Sequence, residues 1–197
     1  MDKLPKEYVS VDIEANGQYP WSASMLSIGA CIVSDPSQQF YAELKPVNED
    51  YLPDNFKIGA RGLLSLRDYD FSNFNPEEVL AILAQEGEDP NRVIPNFAGW
   101  VLENTSGRRP ILCADNLLFD GMFLFHYLDH FYSGENPFGH TGENIQSVFR
   151  GKANDMTANL EELSLRNAVN RHNALIDAVN HAREFHTALV YMRQNRH

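Results

Sequence analysis

Three short stretches of this chain carry residue types that handle phosphate or protons. The first is Val9-Ser-Val-Asp-Ile-Glu14, where apolar and β-branched residues lead into Asp12 and Glu14, two positions apart. In a strand, residues i and i+2 share a face, so this spacing sets two carboxylates side by side at a strand end. Like charges held that close raise each other's pKa and cost stability unless a cation lies between them. Hard divalent ions take oxygen ligands of this kind. The second stretch is Asp115-Asn-Leu-Leu-Phe-Asp120, directly after the apolar run Pro110–Ala114. The third is Arg171-His-Asn-Ala-Leu-Ile-Asp-Ala178, where His172 precedes a helical pattern and Asp177 lies in its first turn. Each has an ordinary explanation alone: two solvated acids at a strand end, an N-cap or first-turn acid, a loop histidine beside a helix-dipole acid.

The elements that must position these stretches follow from periodicity and punctuation. Tyr8–Ile13, Met25–Val33 and Phe40–Leu44 read as three strands in an antiparallel meander, with Asp35-Pro36-Ser37 as a turn. Pro76-Glu77-Glu78 opens a helix to about Gln85, and Pro95 opens another to Glu103. Pro110–Ala114 is continuously apolar, as a central strand covered on both faces would be. A helix follows over Phe119–Phe131, then a short strand around Ile145–Val148 and a helix over Leu160–Ala168. The closing helix spans Leu175–Met192, its apolar residues Leu175, Val179, Ala182, Phe185, Leu189 and Met192 on a 3.6-residue period. The fold class is α/β with a mixed central sheet. We expect one domain over residues 1–197, with irregular insertions at about 46–75 and 132–152.

Composition narrows the function. The 197 residues are 43% hydrophobic, ample for one core. The net charge of −11 argues against an extended grip on long duplex nucleic acid, which needs many Lys and Arg on phosphates. A small site that holds one strand end through metal ions stays open, and acidity near such a site helps to hold the cations. No run approaches the roughly 18 apolar residues of a membrane span. The first residues, Met-Asp-Lys-Leu-Pro-Lys-Glu, lack an apolar signal-type stretch, so a cytoplasmic location is expected. Cys31 and Cys113 both lie in apolar strand-like runs without zinc-site spacing, and read as buried reduced thiols.

Taken together, the three stretches resemble the motifs of the DEDDh 3′–5′ exonucleases. Asp12 and Glu14 match the family's Asp-x-Glu, and Ser27-Ile28-Gly29-Ala30 resembles its second strand. Asn116, Phe119 and Asp120 match Asn-x-x-Phe-Asp; His172, Ala174, Asp177 and Ala178 match His-x-Ala-x-x-Asp-Ala. The resemblance covers nearly the whole chain. It implies a ribonuclease-H-like fold and phosphodiester hydrolysis with two divalent ions, Mg²⁺ or Mn²⁺. By the same resemblance Asp12 bridges the ions, Glu14 and Asp177 serve the ion that carries the attacking water, Asp120 acts through water, and His172 is the general base. Expected substrate contacts are Ala15, Asn16 and Gly17 after the first motif, Met25 and Leu26 as an apolar wedge, and Asn116 and Phe119. Met25 and Leu26 read equally as core, and Phe119 reads more readily as core.

The expected substrate is the 3′ end of single-stranded or short RNA or DNA, with RNA favoured for so small and acidic a chain. A proofreading-type DNA exonuclease, a phosphodiesterase acting on short oligonucleotides or dinucleotides, and an inactive nucleic-acid-binding scaffold are the alternatives. The family points to a homodimer, with no local sequence feature to carry it. Three positions depart from the family pattern: Ala15 for a threonine, Asp115 for a histidine, and Gln146 for an aspartate. No ligand role is assigned to His126, His130, His140, His181 or His186.

Overall fold

Alternation in the first strand decides how the sheet is built. The computed structural model describes residues 5–48, 50–160 and 172–194. Within β1 (Lys6–Ala15), Val9, Val11 and Ile13 are at most 3% exposed and join one core cluster, while Ser10, Asp12 and Glu14 face the other way. Each such apolar side chain contributes roughly 1.5–3 kcal/mol by burial. A one-residue slip would send all three to the carboxylate face, so the register that places Asp12 and Glu14 is strongly specified.

β1 lies in the middle of a five-stranded sheet of order β3-β2-β1-β4-β5. The other strands are β2 (Met25–Ile32), β3 (Asp35–Glu43), β4 (Arg109–Ala114) and β5 (Gly142–Asn144). The pairs β1–β2 and β2–β3 are antiparallel; β1–β4 and β4–β5 are parallel. Six described helices accompany the sheet: α1 (Pro53–Gly59), α2 (Pro76–Glu86), α3 (Pro90–Asn104), α4 (Leu117–Phe131), α5 (Ile145–Ala153) and α6 (Ala174–Gln194). α3 and α4 cover the Val9–Val11–Ile13 face, and α5 and α6 pack with Cys31 and Cys113 on the other. Both cysteines are buried free thiols. A third cluster joins Leu26 to Phe56, Leu63, Leu66 and the α2 residues Val79 and Leu83.

Several expected boundaries move. The turn after β2 is Val33-Ser34, and β3 already begins at Asp35. Pro36 is tolerated because β3 is an edge strand, where a missing N–H costs no ladder bond. α3 starts five residues before Pro95, at Pro90, because Asp89 caps it by accepting from the Asn91 N–H at 2.9 Å. Ile145–Val148 is helix rather than strand. Asn144 accepts from the Ser147 N–H at 2.8 Å, and Ile145 and Phe149 are buried at a spacing of i, i+4, the helical period. The strand there is β5, just before it. The segment expected to be irregular after Pro46 holds α1 and two 3₁₀ turns, Leu64–Leu66 and Phe71–Asn73. The expected helix over Leu160–Ala168 lies, apart from Leu160, outside the described residues. Among the described residues no helix is long and apolar enough to cross a membrane.

Candidate active site

The start of α6 brings the third sequence stretch onto the first. Asn173 caps the helix: its side-chain oxygen accepts from the Ile176 N–H at 3.1 Å. Ala174, Ala178 and Ala182 are fully buried at a spacing of four, so this helix lies close against the sheet. At Gly29 a Cβ would sit 2.2 Å from the backbone of Ala174 and Leu175, so only glycine admits the helix here. Gly29 is the β2 residue opposite Asp12. The Ser10 hydroxyl ties the arrangement together by donating to the Ala178 carbonyl at 2.8 Å.

Asp177, in the first turn of α6, therefore meets the β1 pair. Carboxylate oxygens of Asp12, Glu14 and Asp177 all lie within 4.8 Å of one another. Asp120 joins from the first turn of α4. It is 3% exposed, and one carboxylate oxygen accepts from the Ile13 N–H at 3.2 Å. Its other oxygen is buried and has no hydrogen-bond partner among the described residues. These four carboxylates and Asp115 line one cleft of about 270 Å³.

The electrostatics record the crowding. Burial, and then the negative charges of Asp120, Glu14 and Asp177, push the Asp12 carboxyl well above its usual range. Glu14 is pushed up to about 9 by burial and by Asp177 and Asp120. Asp120 is pushed up to about 8, chiefly by burial; the Ile13 N–H works against that shift and Asp115 adds to it. Carboxylate oxygens so crowded, one of them orphaned, in groups raised in pKa, fit divalent cations.

His172 borders the same cleft on the turn before α6, with φ of +72°. Its backbone N–H donates to the Asp177 carboxylate at 3.0 Å. This turn rests on the segment after α1. Asn173 donates to the Gly62 carbonyl at 2.8 Å, and a Cβ on Gly62 would come within 1.8 Å of the His172 carbonyl oxygen. Glu43 holds that segment by accepting from the Leu64 and Ser65 N–H groups, and it also accepts from Tyr41 at 2.5 Å.

The remaining expected residues are spread more widely. Asn116, exposed, and Phe119, half-buried, line the cleft. Met25 and Leu26 are fully buried in two different core clusters. Ala15 is buried, and Asn16 uses its side-chain oxygen to accept from the Ser24 N–H at 2.6 Å. Gly17 lines a separate hollow of about 350 Å³ beside Tyr19 and Leu52. Gln146 clamps the Ala158–Leu160 backbone, donating to the Ala158 carbonyl at 2.7 Å and accepting from the Leu160 N–H at 3.1 Å.

Two residues that the sequence analysis passed over also line the cleft, Asn180 and His181. His181 Nδ1 lies 3.6 Å from Asp12 Oδ1, and its Nε2 lies 3.8 Å from Asp115 Oδ2. The signal was present: positions 180 and 181 follow Asp177 by three and four, the same helix face.

Comparison with known proteins agrees with this geometry. The 3′–5′ DNA exonuclease Cap18 of Escherichia coli is 32% identical over 145 residues, covering 73% of this chain and 68% of that protein. The nuclease domain of 3′hExo, a DEDDh family member solved with bound rAMP, superposes at a TM-score of 0.64 with 15% identity, over 100% of this chain and 96% of that one. The chain belongs to the DEDDh 3′–5′ exonucleases. Its fold is ribonuclease-H-like, and it is a phosphodiester hydrolase. E. coli Exonuclease I in complex with a dA16 oligonucleotide shares the fold at a TM-score of 0.58 and 16% identity, over 97% of this chain and 42% of that chain, so this DEDDh exonuclease spans less than half of it. No protein-family model matches the sequence.

Proposed function

We propose that this exonuclease removes nucleotides one at a time from the 3′ end of a single strand by two-metal hydrolysis at the Asp12–Glu14–Asp177 cluster. The observation that carries this reading is the set of three carboxylate oxygens within 4.8 Å at the end of the central strand. Two divalent ions, when bound, supply an acidified water and neutralise charge on the phosphate. Asp12, Glu14 and Asp177 would hold them, with the orphaned oxygen of Asp120 beside them. His172, on the accessible rim, takes the proton of the attacking water, a task that imidazole chemistry suits. The new P–O bond forms from that water, the bond from phosphorus to the 3′ oxygen of the next nucleotide breaks, and a nucleoside 5′-monophosphate leaves.

A cleft of about 270 Å³ suits one nucleotide at a time. On the loop that leaves β1, Tyr19 and Trp21 are exposed and stacked with ring centroids 4.9 Å apart. Such a pair offers bases of any sequence a stacking surface, as single-strand binders do. DNA is placed ahead of RNA because the relative at 32% identity is named a DNA exonuclease. This reverses the preference drawn from the acidic composition, which bears on substrate length more than on sugar.

The test is a time course on 5′-labelled single-stranded DNA and RNA of equal sequence, from dinucleotide to about 20 nucleotides, with Mg²⁺ or Mn²⁺. The expected result is a ladder shortening from the 3′ end, faster on DNA, with nucleoside 5′-monophosphates as product. Internal fragments, or no cleavage with either ion, overturn the reading. Cleavage confined to dinucleotides makes the protein a short-oligonucleotide phosphodiesterase.

A further inference from the structure

We propose that His181 is a metal ligand, so that one ion position of this site is a mixed nitrogen–oxygen position that takes a first-row transition ion in preference to Mg²⁺. The inference rests on the two-metal reading above. His181 is 6% exposed, one helical turn beyond Asp177, and lines the same cleft. Its Nδ1 stands 3.6 Å from Asp12 Oδ1. That separation is long for a hydrogen bond. It matches two ligand atoms that share one ion at ordinary bond lengths of about 2.0–2.2 Å. The opposite ring nitrogen, Nε2, faces Asp115 Oδ2 at 3.8 Å. A carboxylate behind the far nitrogen of a ligating histidine is the usual way to fix its ring and raise its basicity.

A second observation points to the same place independently. Asp120, 3% exposed, has one oxygen fixed by the Ile13 N–H and the other buried in this cleft with no hydrogen-bond partner among the described residues. An acceptor so left costs stability unless a cation or its water reaches it. Asp120 and Asp115 both add to the negative field at Asp12. Asp120 and His181 thus both line the cleft beside Asp12, His181 Nδ1 at 3.6 Å from its carboxylate. Position 115 is also where the chain departs from the family pattern, carrying an acid instead of a histidine, while an imidazole stands opposite at 181. An all-oxygen site suits Mg²⁺; one imidazole among the ligands shifts preference toward transition ions.

The test uses metal-free full-length protein and Mn²⁺ as probe. Calorimetry counts the ions bound, and pulsed electron paramagnetic resonance reports nitrogen coordinated to Mn²⁺. We expect two ions and a nitrogen coupling that changes on ¹⁵N-histidine labelling, persists in His172→Ala and vanishes in His181→Gln. Asp115→Asn should weaken one of the two sites by roughly 10–100-fold, and Mg²⁺ should displace Mn²⁺ from that site least readily. Should His181→Gln fail to fold, labelled wild type and His172→Ala decide alone. Two bound ions without histidine coupling overturn this proposal and leave two-metal hydrolysis standing. Coupling lost in His172→Ala also overturns it, assigning the nitrogen to His172. No bound Mn²⁺ overturns both.

Discussion

The floor and the rim of the cleft are made in different ways. The floor carboxylates Asp12, Glu14, Asp120 and Asp177 stand on regular elements, and short-range rules place them: two on one strand face, one in the first turn of each of two helices. The rim histidine, His172, stands on a left-handed turn whose position depends on residues more than a hundred positions away, Gly62 above all. Metal ligands must be held against mutual repulsion, which stiff elements do well. A group that exchanges protons with solvent can sit on a turn, provided something outside the motif keeps it in reach.

Breaking the floor should have the largest effect. On the proposed two-metal reading Asp12→Asn removes the shared ligand, and metal ions in such sites supply several kcal/mol of transition-state stabilisation, so turnover should fall by on the order of 10³-fold or more. The same substitution relieves repulsion among buried acids. In EDTA the variant should therefore melt higher than wild type, while gaining less on addition of Mn²⁺. Wild-type turnover, or a melting temperature lowered in EDTA, would count against a metal cage at this position.

Breaking the rim should cost less and spare the metals. On the same proposal His172→Ala removes the general base, so the rate should fall by about 10²–10⁴-fold with Mn²⁺ affinity unchanged. Gly62→Ala tests whether the rim is positioned from afar. The added Cβ meets the His172 carbonyl oxygen at 1.8 Å, so the turn must shift. A displacement near 1 Å of a catalytic group can cost roughly 100-fold. Turnover should drop toward that of His172→Ala with Mn²⁺ binding kept. If Gly62→Ala instead loses the ions, rim and floor are one unit and the distinction fails.

The floor also predicts a pH dependence. The native pKa of Glu14 is raised to about 9 and that of Asp120 to about 8, against unfolded values of about 4. Between those limits the metal-free native state retains protons that the unfolded chain has released. Its stability must then fall as pH rises from about 4 to 9, and level off above that. Melting in EDTA should therefore drop from pH 6 to pH 9, more shallowly in Asp12→Asn, and the gain on adding Mn²⁺ should grow over the same range. A flat profile in EDTA would remove the repulsion argument.

The same contrast explains what the sequence could convey. Asp12 and Glu14 were legible because strand alternation is a local rule, and Asp177 because caps and apolar periods locate helix starts. His181 was equally local, four residues past Asp177, and was passed over because histidine was weighed by motif instead of by helix face. The Gly62 support had no local signal at all. It follows from the approach of two backbones, as does the contact of Gly29 with α6. Boundaries failed where one rule was read without its neighbour. Pro95 mimics a helix start although Asp89 caps the helix earlier, and Asp35-Pro36 has the composition of a turn although an edge strand admits both.

The smallest effect should come from the surface that neither floor nor rim contains. Tyr19 and Trp21 lie on the loop between β1 and β2, which Asn16 and Ser24 close at its base by paired hydrogen bonds at 3.1 and 2.6 Å. Trp21 is 65% exposed, so its loss should leave stability nearly unchanged. Stacking of a base is worth about 1–3 kcal/mol, so Trp21→Ala should raise KM for a 20-nucleotide strand by roughly 5- to 150-fold. The kcat should hold, and a dinucleotide should be cleaved as by wild type. Equal losses on both lengths would instead tie Trp21 to the rim, and would show that the loop shapes the cleft itself.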